Sequence, residues 1–390
     1  MRSELVSRRK NRASKDRERR AHYALYLAVL PWYRNECIDV LKNRSEFDLS
    51  IFASSYALDP TVRTGVPESA YTGIRRFGLL NGRALLTAVP LRALSADACV
   101  VDLNPRSLGA WAVLIMRRLM KRRVVVWGHL HPRQGPASKT ARVRSFMRGL
   151  ADGAILYDYQ SVGSALKEHP HQPVWTAPNA IYRRSEIEAA VVGGRNTLIY
   201  VGRLVPEKKV EQLVPAFVES ELWREGYRLE IIGDGVCAGL IDDQILDAPE
   251  GARAAIARLG PVTDADKLKS SYARAVCSVS AGYVGLSCTQ SLGFGVPMIY
   301  SINEPHAPEL ELREAGGMYG YEDSSVAGLA TAMRRGVEHL STCDFDARKL
   351  LSCIVREHYS AEAMASGIAD ALAGQVKATD AKFQNVRMFE

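Results

Sequence analysis

The feature that most constrains this chain is a pattern that runs twice. Short apolar runs alternate with longer helix-competent stretches, the alternation breaks over residues 178–194, and it then starts again. The first series reads as strands at 49–53, 98–101, 124–127, 154–157 and 174–177, after a possible first strand in the apolar run 21–32. The second series reads as strands at 197–201, 228–232, 276–280 and 297–300, with a helix from about Val210 and helical sequence through Leu372. Continuous apolar strands separated by helices belong to parallel sheets covered on both faces. Two such series predict an α/β chain of two Rossmann-like domains, doubly wound and facing across a cleft. The expected boundaries are a basic leader over 1–20, a first domain over 21–185, a second domain with closing helices over 186–372 and a polar tail over 373–390.

Composition agrees with two sizeable cores, since 47% of the 390 residues are hydrophobic. Charge is divided unevenly: residues 1–190 carry a net +15 and residues 191–390 a net −7, so the halves present different surfaces to different partners. Seven cysteines without a C-x-x-C pair point to a reducing compartment, with neither a disulfide framework nor a cysteine metal site. The leader contains three acids and precedes no long apolar stretch, which makes it a poor signal peptide, and the run 21–32 is about half the length of a membrane span. The expected location is cytoplasmic.

Two basic segments, 111–123 and 139–148, either rest on anionic headgroups at the inner membrane face or form ordinary solvated helix ends. Nucleic acid is not the expected partner, because no binding motif or interleaved aromatics accompany the charge.

Three glycine-marked turns follow strands of the second series. Gly202-Arg203 through Lys208 combines close backbone approach with two cations suited to phosphate oxygens. Gly233-Asp234-Gly235 is a tight turn that fails the G-x-G-x-x-G fingerprint, since position 238 is Ala. Gly282 to Ser287 leads into a predicted helix over 287–295, whose N-terminus offers amides and a positive dipole end to an anion. Each turn alone also suits an ordinary strand end, but together they outline a nucleotide-diphosphate pocket.

These residues, with Gly295-Val296-Pro297 closing the block, resemble the retaining nucleotide-sugar glycosyltransferases of family 4, the group 1 glycosyl transferases of GT-B fold. The likeness is good over about 195–320 and weak before 120. It implies a nucleotide-sugar donor, UDP- or GDP-linked, on the second domain, a saccharide or lipid-linked saccharide acceptor on the first, and transfer with retention of anomeric configuration. The C-terminal helices would then pack back on the first domain. Arg203 and Lys208 match the family pair at the donor diphosphate, while Gly202, Gly233, Gly285, Leu286 and Ser287 match its donor-binding turns. His129, after the strand at 124–127, matches a first-domain His that touches the donor sugar. A surface or packed His129 and a zinc site with His131 are the alternatives, and the zinc site lacks further ligands.

Two family carboxylates are missing: Gly282 stands at the first position and Gln290 at the second. His306 and Glu309 resemble a branch of the family in which they border the donor sugar, although Glu309 after Pro308 also suits a helix start. Asn104 to Arg106 and Tyr33-Arg34 fall where an acceptor would be reached, with Arg34 equally readable as a surface cation. Asp344-Phe345-Asp346 has the shape of a metal clamp from another transferase fold, but its setting is wrong; no catalytic metal is expected and no cofactor beyond the co-substrate. The competing readings are a nucleotide-sugar-binding partner or regulator without turnover, an epimerase, which would need convergent carboxylates, and a NAD enzyme, which would need the absent fingerprint.

Overall fold

A computed structural model describes residues 20–56, 63–79, 84–132, 135–190, 194–262, 264–340 and 345–376. The expected leader and tail, and Asp344 of the aspartate motif, lie outside these residues, the leader except for Arg20 and the tail except for 373–376. The chain divides into two compact units. The first takes the described residues up to Leu156, Gly163–Trp175 and the described residues from Gly367; the second takes Tyr157–Val162 and Thr176–Ser366.

The first unit holds strands β1 (Ala21–Leu27), β2 (Phe47–Ala53), β3 (Thr72–Gly73), β4 (Arg76–Leu79), β5 (Ala84–Thr87), β6 (Ala98–Asp102), β7 (Arg123–Trp127), β8 (Gly153–Leu156) and β9 (Val174–Thr176). One sheet runs β3-β2-β1-β6-β7-β8-β9, while β4 and β5 form a separate antiparallel hairpin. β1 pairs in parallel with β2 and β6, and β6–β7–β8 continue in parallel. The central strands β6 and β7 are apolar and buried except at Asp102 and Arg123 at their ends, because helices such as Leu108–Leu119 cover them.

The second unit holds β10 (Thr197–Val201), β11 (Arg228–Ile232), β12 (Ile256–Gly260), β13 (Ala275–Ser280), β14 (Met298–Ser301) and β15 (Met318–Tyr321) in the order β12-β11-β10-β13-β14-β15, all pairs parallel. Order reverses between β10 and β13, which is the doubly wound arrangement whose carboxyl-end crevice at the reversal is its usual ligand site. β13 is buried along its whole length and carries the most buried helix of the unit, Leu286–Gly293, two turns later. The helix is shorter than the predicted 287–295 because Gly295, at φ 72°, turns the chain toward Pro297 and β14.

The closing helices return as expected. Ala361–Ala373 begins in the second unit, and from Gly367 the chain belongs to the first, where Arg123 donates to the Ala371 carbonyl at 3.0 Å and the Trp175 indole to that of Gln375 at 2.8 Å. Among the described residues no helix is long and apolar enough to cross a membrane.

Candidate functional site

Two turns of the second unit are laced together by backbone. The Gly202 amide donates to Ile232 at 3.0 Å, that of Leu204 to Asp234 at 2.9 Å, and that of Cys237 back to Leu204 at 2.9 Å. Gly233 sits at φ 147° and Gly235 at φ 155°, and a Cβ on them would stand 1.8 Å from the Gly202 oxygen and 2.3 Å from the Leu204 oxygen. Only glycine fits either position. The Gly233-Asp234-Gly235 turn therefore shapes the loop that carries Arg203.

That loop continues through a single 3-10 turn, Pro206–Lys208, and Lys209 leaves it in the left-handed region at φ 48°. Arg203 is exposed, and its guanidinium has no hydrogen-bond or ion-pair partner among the described residues. Lys208 points inward: its ammonium donates to the Tyr283 carbonyl at 2.6 Å and lies 4.7 Å from the centre of the Tyr283 ring. Burial, reinforced by the charge of Arg203, brings the Lys208 pKa down to about 8. Lys209 is committed elsewhere, to Glu304 at 2.6 Å.

The third turn rests directly on the second cation. The Tyr283 amide donates to the Glu207 carbonyl at 3.0 Å, and a Cβ on Gly282 would meet the Lys208 carbonyl carbon at 2.5 Å and the Glu207 oxygen at 2.6 Å. Any side chain at 282 would thus run into the backbone of the Pro206–Lys208 turn. Gly285 then caps the helix Leu286–Gly293 without a side-chain bond, so the amides of Leu286 and Ser287 are first-turn donors that the helix itself does not use. Lys208, Ser287, Tyr272, Ser278 and Ser280 line one small cavity beneath this helix start.

Gln290 and His306, both expected at the donor, have their side-chain polar atoms engaged within the protein. Gln290 is buried; its amide nitrogen donates to the Tyr182 hydroxyl at 2.6 Å and its oxygen accepts from Tyr272 at 3.3 Å, so both ends are occupied within the core. His306 uses both ring nitrogens on backbone: Nδ1 accepts from the Val284 amide at 3.0 Å, which leaves Nε2 to donate to the Ser301 carbonyl at 2.7 Å. Burial lowers its pKa and keeps it neutral. His306 fastens the 282–285 turn to the end of β14.

Glu309 is 2% exposed and accepts from the Asn179 side chain at 3.0 Å; burial raises its pKa, while the nearby Lys208 charge opposes the shift. Its neighbour Glu311 accepts from the backbone amides of Tyr159 at 2.9 Å and Gln160 at 2.8 Å and from the Tyr359 hydroxyl, yet burial still lifts it to about 7. Sequence reasoning missed Asn179, Tyr283 and Glu311. Only Tyr283 carried a signal, its place inside the third glycine turn.

In the first unit, His129 is exposed just past β7, and its carbonyl accepts from Arg144 at 2.8 Å. His131 lies 3.4 Å from Glu168, and no metal-competent cluster occurs among the described residues. Arg34 is corrected from a surface cation to a buried one, 5% exposed with its guanidinium 4.2 Å from the centre of the Trp127 ring. Asn104 caps its own turn by accepting from the Arg106 amide at 3.0 Å.

Residues 195–339 match the family model of the group 1 glycosyl transferases. The second unit thus carries a group 1 glycosyl transferase domain, and the paired doubly wound units are the GT-B fold. Solved structures share this fold over nearly the whole chain. HepE of Anabaena in complex with UDP is 12% identical, with 91% of this chain and 100% of that one covered at a TM-score of 0.60. The pneumococcal O-GlcNAc transferase GtfA in complex with UDP and GlcNAc is 10% identical, covering 93% and 100% at 0.60. A glycosyltransferase of Rickettsia africae is 11% identical, covering 92% and 99% at 0.59. No curated protein matches the chain by sequence.

Proposed function

We propose that this protein is a retaining glycosyltransferase that moves a sugar from a UDP-linked donor to an acceptor hydroxyl. The observation that carries the reading is the convergence of Arg203, Lys208 and the start of helix Leu286–Gly293 at the strand-order reversal of one sheet. A diphosphate placed there meets two cations and the first-turn amides. As the bond from the anomeric carbon to the diphosphate breaks, negative charge grows on the leaving phosphate, and these fixed donors stabilise it. The departing phosphate oxygen takes the proton of the acceptor hydroxyl, so no side chain need act as nucleophile. Glu309 is proposed at the sugar end of the site, held by Asn179. His129 is proposed to orient the transferred sugar.

UDP is favoured over GDP because HepE was solved with UDP and with UDP-glucose, and GtfA with UDP. The acceptor is proposed to be a lipid-linked saccharide of exopolysaccharide, capsule or O-antigen synthesis, reached from the cytoplasmic membrane face. The net +15 of residues 1–190 supports that assignment.

Calorimetric titration with UDP and a donor-panel turnover assay test the reading. Arg203→Ala should weaken UDP binding by roughly tenfold to hundredfold, the scale of one charge-assisted hydrogen bond. Unchanged affinity would remove the diphosphate from this loop. A second reading, nucleotide-sugar binding without transfer, draws on Gly282 and on the engaged amide of Gln290. Tight UDP binding with no turnover on any donor and acceptor would select it.

A further inference from the structure

One surface of the first unit carries none of the residues proposed for transfer. Between Asp102 and Asp152 the chain has eleven Lys and Arg and neither Asp nor Glu. This stretch builds the helices Leu108–Leu119 and Lys139–Gly149. They are neighbours: the Trp111 and Phe146 rings lie 6.1 Å apart, and Arg118 donates to the Leu150 carbonyl at 3.2 Å.

Their inward faces are accounted for. Val113, Leu114, Ala141 and Met147 are buried, and the buried Arg117 donates to the carbonyls of Ala93 at 2.7 Å and Ala96 at 3.0 Å. Their outward faces are apolar where a solvated helix would be polar. Leu119 is 79% exposed and Phe146 64%, with Ile115, Met116, Met120 and Val143 also open to solvent. Spacings of three and four residues gather these side chains on the outward face of each helix. Arg118, Lys121 and Arg142 are exposed among them, and Arg118 and Lys121 border a groove of about 490 Å³ that also takes in Arg122, Arg123, Leu150 and a single acid, Asp152.

Exposed apolar side chains set among predominantly basic ones, with Asp152 the acid in the groove, call for a partner that is apolar and anionic together. A bilayer with anionic headgroups has both properties at the right depth from each other. Nucleic acid would use the cations and leave Leu119 and Phe146 in water.

We propose that the outward face of these two helices docks on an anionic lipid surface, with Leu119 and Phe146 entering the acyl boundary and Arg118, Lys121 and Arg142 on headgroup phosphates. This deepens the membrane part of the proposed function and does not depend on the transfer reaction.

Flotation of the full chain with phosphatidylcholine vesicles, with and without phosphatidylglycerol, tests it, with UDP binding measured on the same samples. The parent should float only with the anionic vesicles. Leu119→Ala with Phe146→Ala should reduce partitioning at least about tenfold, and so should Arg118→Glu with Lys121→Glu. UDP affinity should hold in both variants. A parent that ignores anionic vesicles overturns the proposal. So does partitioning that survives the apolar double variant, since the contact is then charge alone or lies elsewhere, and so does duplex DNA binding in place of vesicle binding. Loss of UDP binding in the parent with flotation intact would count against the donor site and not against this surface.

Discussion

Restoring the family carboxylate at position 282 should damage this protein. A Cβ there stands 2.5 Å from the Lys208 carbonyl carbon, 2.6 Å from the Glu207 oxygen and 2.8 Å from the Lys208 Cα, all backbone atoms that no rotamer can move aside. Ordinary contact begins near 3.4 Å, so the Pro206–Lys208 turn must retreat by roughly 0.9 Å. The same turn is tied to the third loop by the Tyr283 amide at 3.0 Å and by the Lys208 ammonium at 2.6 Å, and both bonds stretch when it retreats. Overpacking of this kind costs about 1–3 kcal/mol. In a domain of this size that is a fall in Tm of about 2–12 °C. Displacing a positioning cation by about 1 Å is also enough to cost on the order of a hundredfold in rate. Gly282→Ala and Gly282→Glu should therefore both melt earlier in calorimetry and bind UDP at least about tenfold more weakly, the Glu variant no better than the Ala. A Gly282→Glu protein with the parent Tm and faster turnover would refute the steric account, because the position would then be open to the carboxylate.

Two further predictions concern titration. The Lys208 ammonium has a pKa of about 8, and a diphosphate beside it would raise that value, so UDP affinity should be full below pH 8 and fall by up to about tenfold per pH unit above it. Calorimetry between pH 6.5 and 9.5, about one and a half units either side, checks this, and Lys208→Arg should flatten the profile. His306 is neutral with its pKa held below the ordinary 6.5, so the unfolded chain takes up its proton first and the fold loses stability as pH drops through that window. His306→Ala should cost about 1–3 kcal/mol at neutral pH by stripping two backbone partners, and should lessen the acid sensitivity seen in melting curves at pH 5 to 7, about the window of an ordinary His.

What the sequence revealed follows from where burial is uniform. β10, β11, β13 and β14 announce themselves because strands covered on both faces are largely apolar, and the glycine turns after them are legible because backbone crowding leaves one residue type. Three of the four edge strands of the two large sheets escaped notice for the converse reason, β9 being the one foreseen. β12, Ile-Ala-Arg-Leu-Gly, and β15, Met-Tyr-Gly-Tyr, are half wet and lack an apolar run, and β3 is two residues long. Side-chain roles were less legible still. Nothing in the spacing of His306 says that both nitrogens face backbone, nor that Arg34 lies under a tryptophan, because those facts come from residues far away in the chain.

The two departures from the family pattern share a physical consequence. A carboxylate at 282 has no room, and one at 290 would be a buried charge facing two tyrosine hydroxyls, where Gln offers one donor and one acceptor that both find partners. With both acids gone, the carboxylates that Lys208 senses are Glu309 and Glu207, and the loop keeps Arg203 close enough for its charge to lower the Lys208 pKa. Two neighbouring cations, one drawn into a low-dielectric pocket, are unfavourable in the folded chain by themselves. An arrangement that local stability alone would select against is what a site for a doubly charged anion requires, since the anion offsets the repulsion and restores the Lys208 charge. Replacing Lys208 by Met should accordingly stabilise the protein against heat while abolishing the pH dependence of UDP binding. A Lys208→Met variant that melts earlier than the parent would show that the ammonium is held for the fold through Tyr283, and the electrostatic case for a phosphate site would fall.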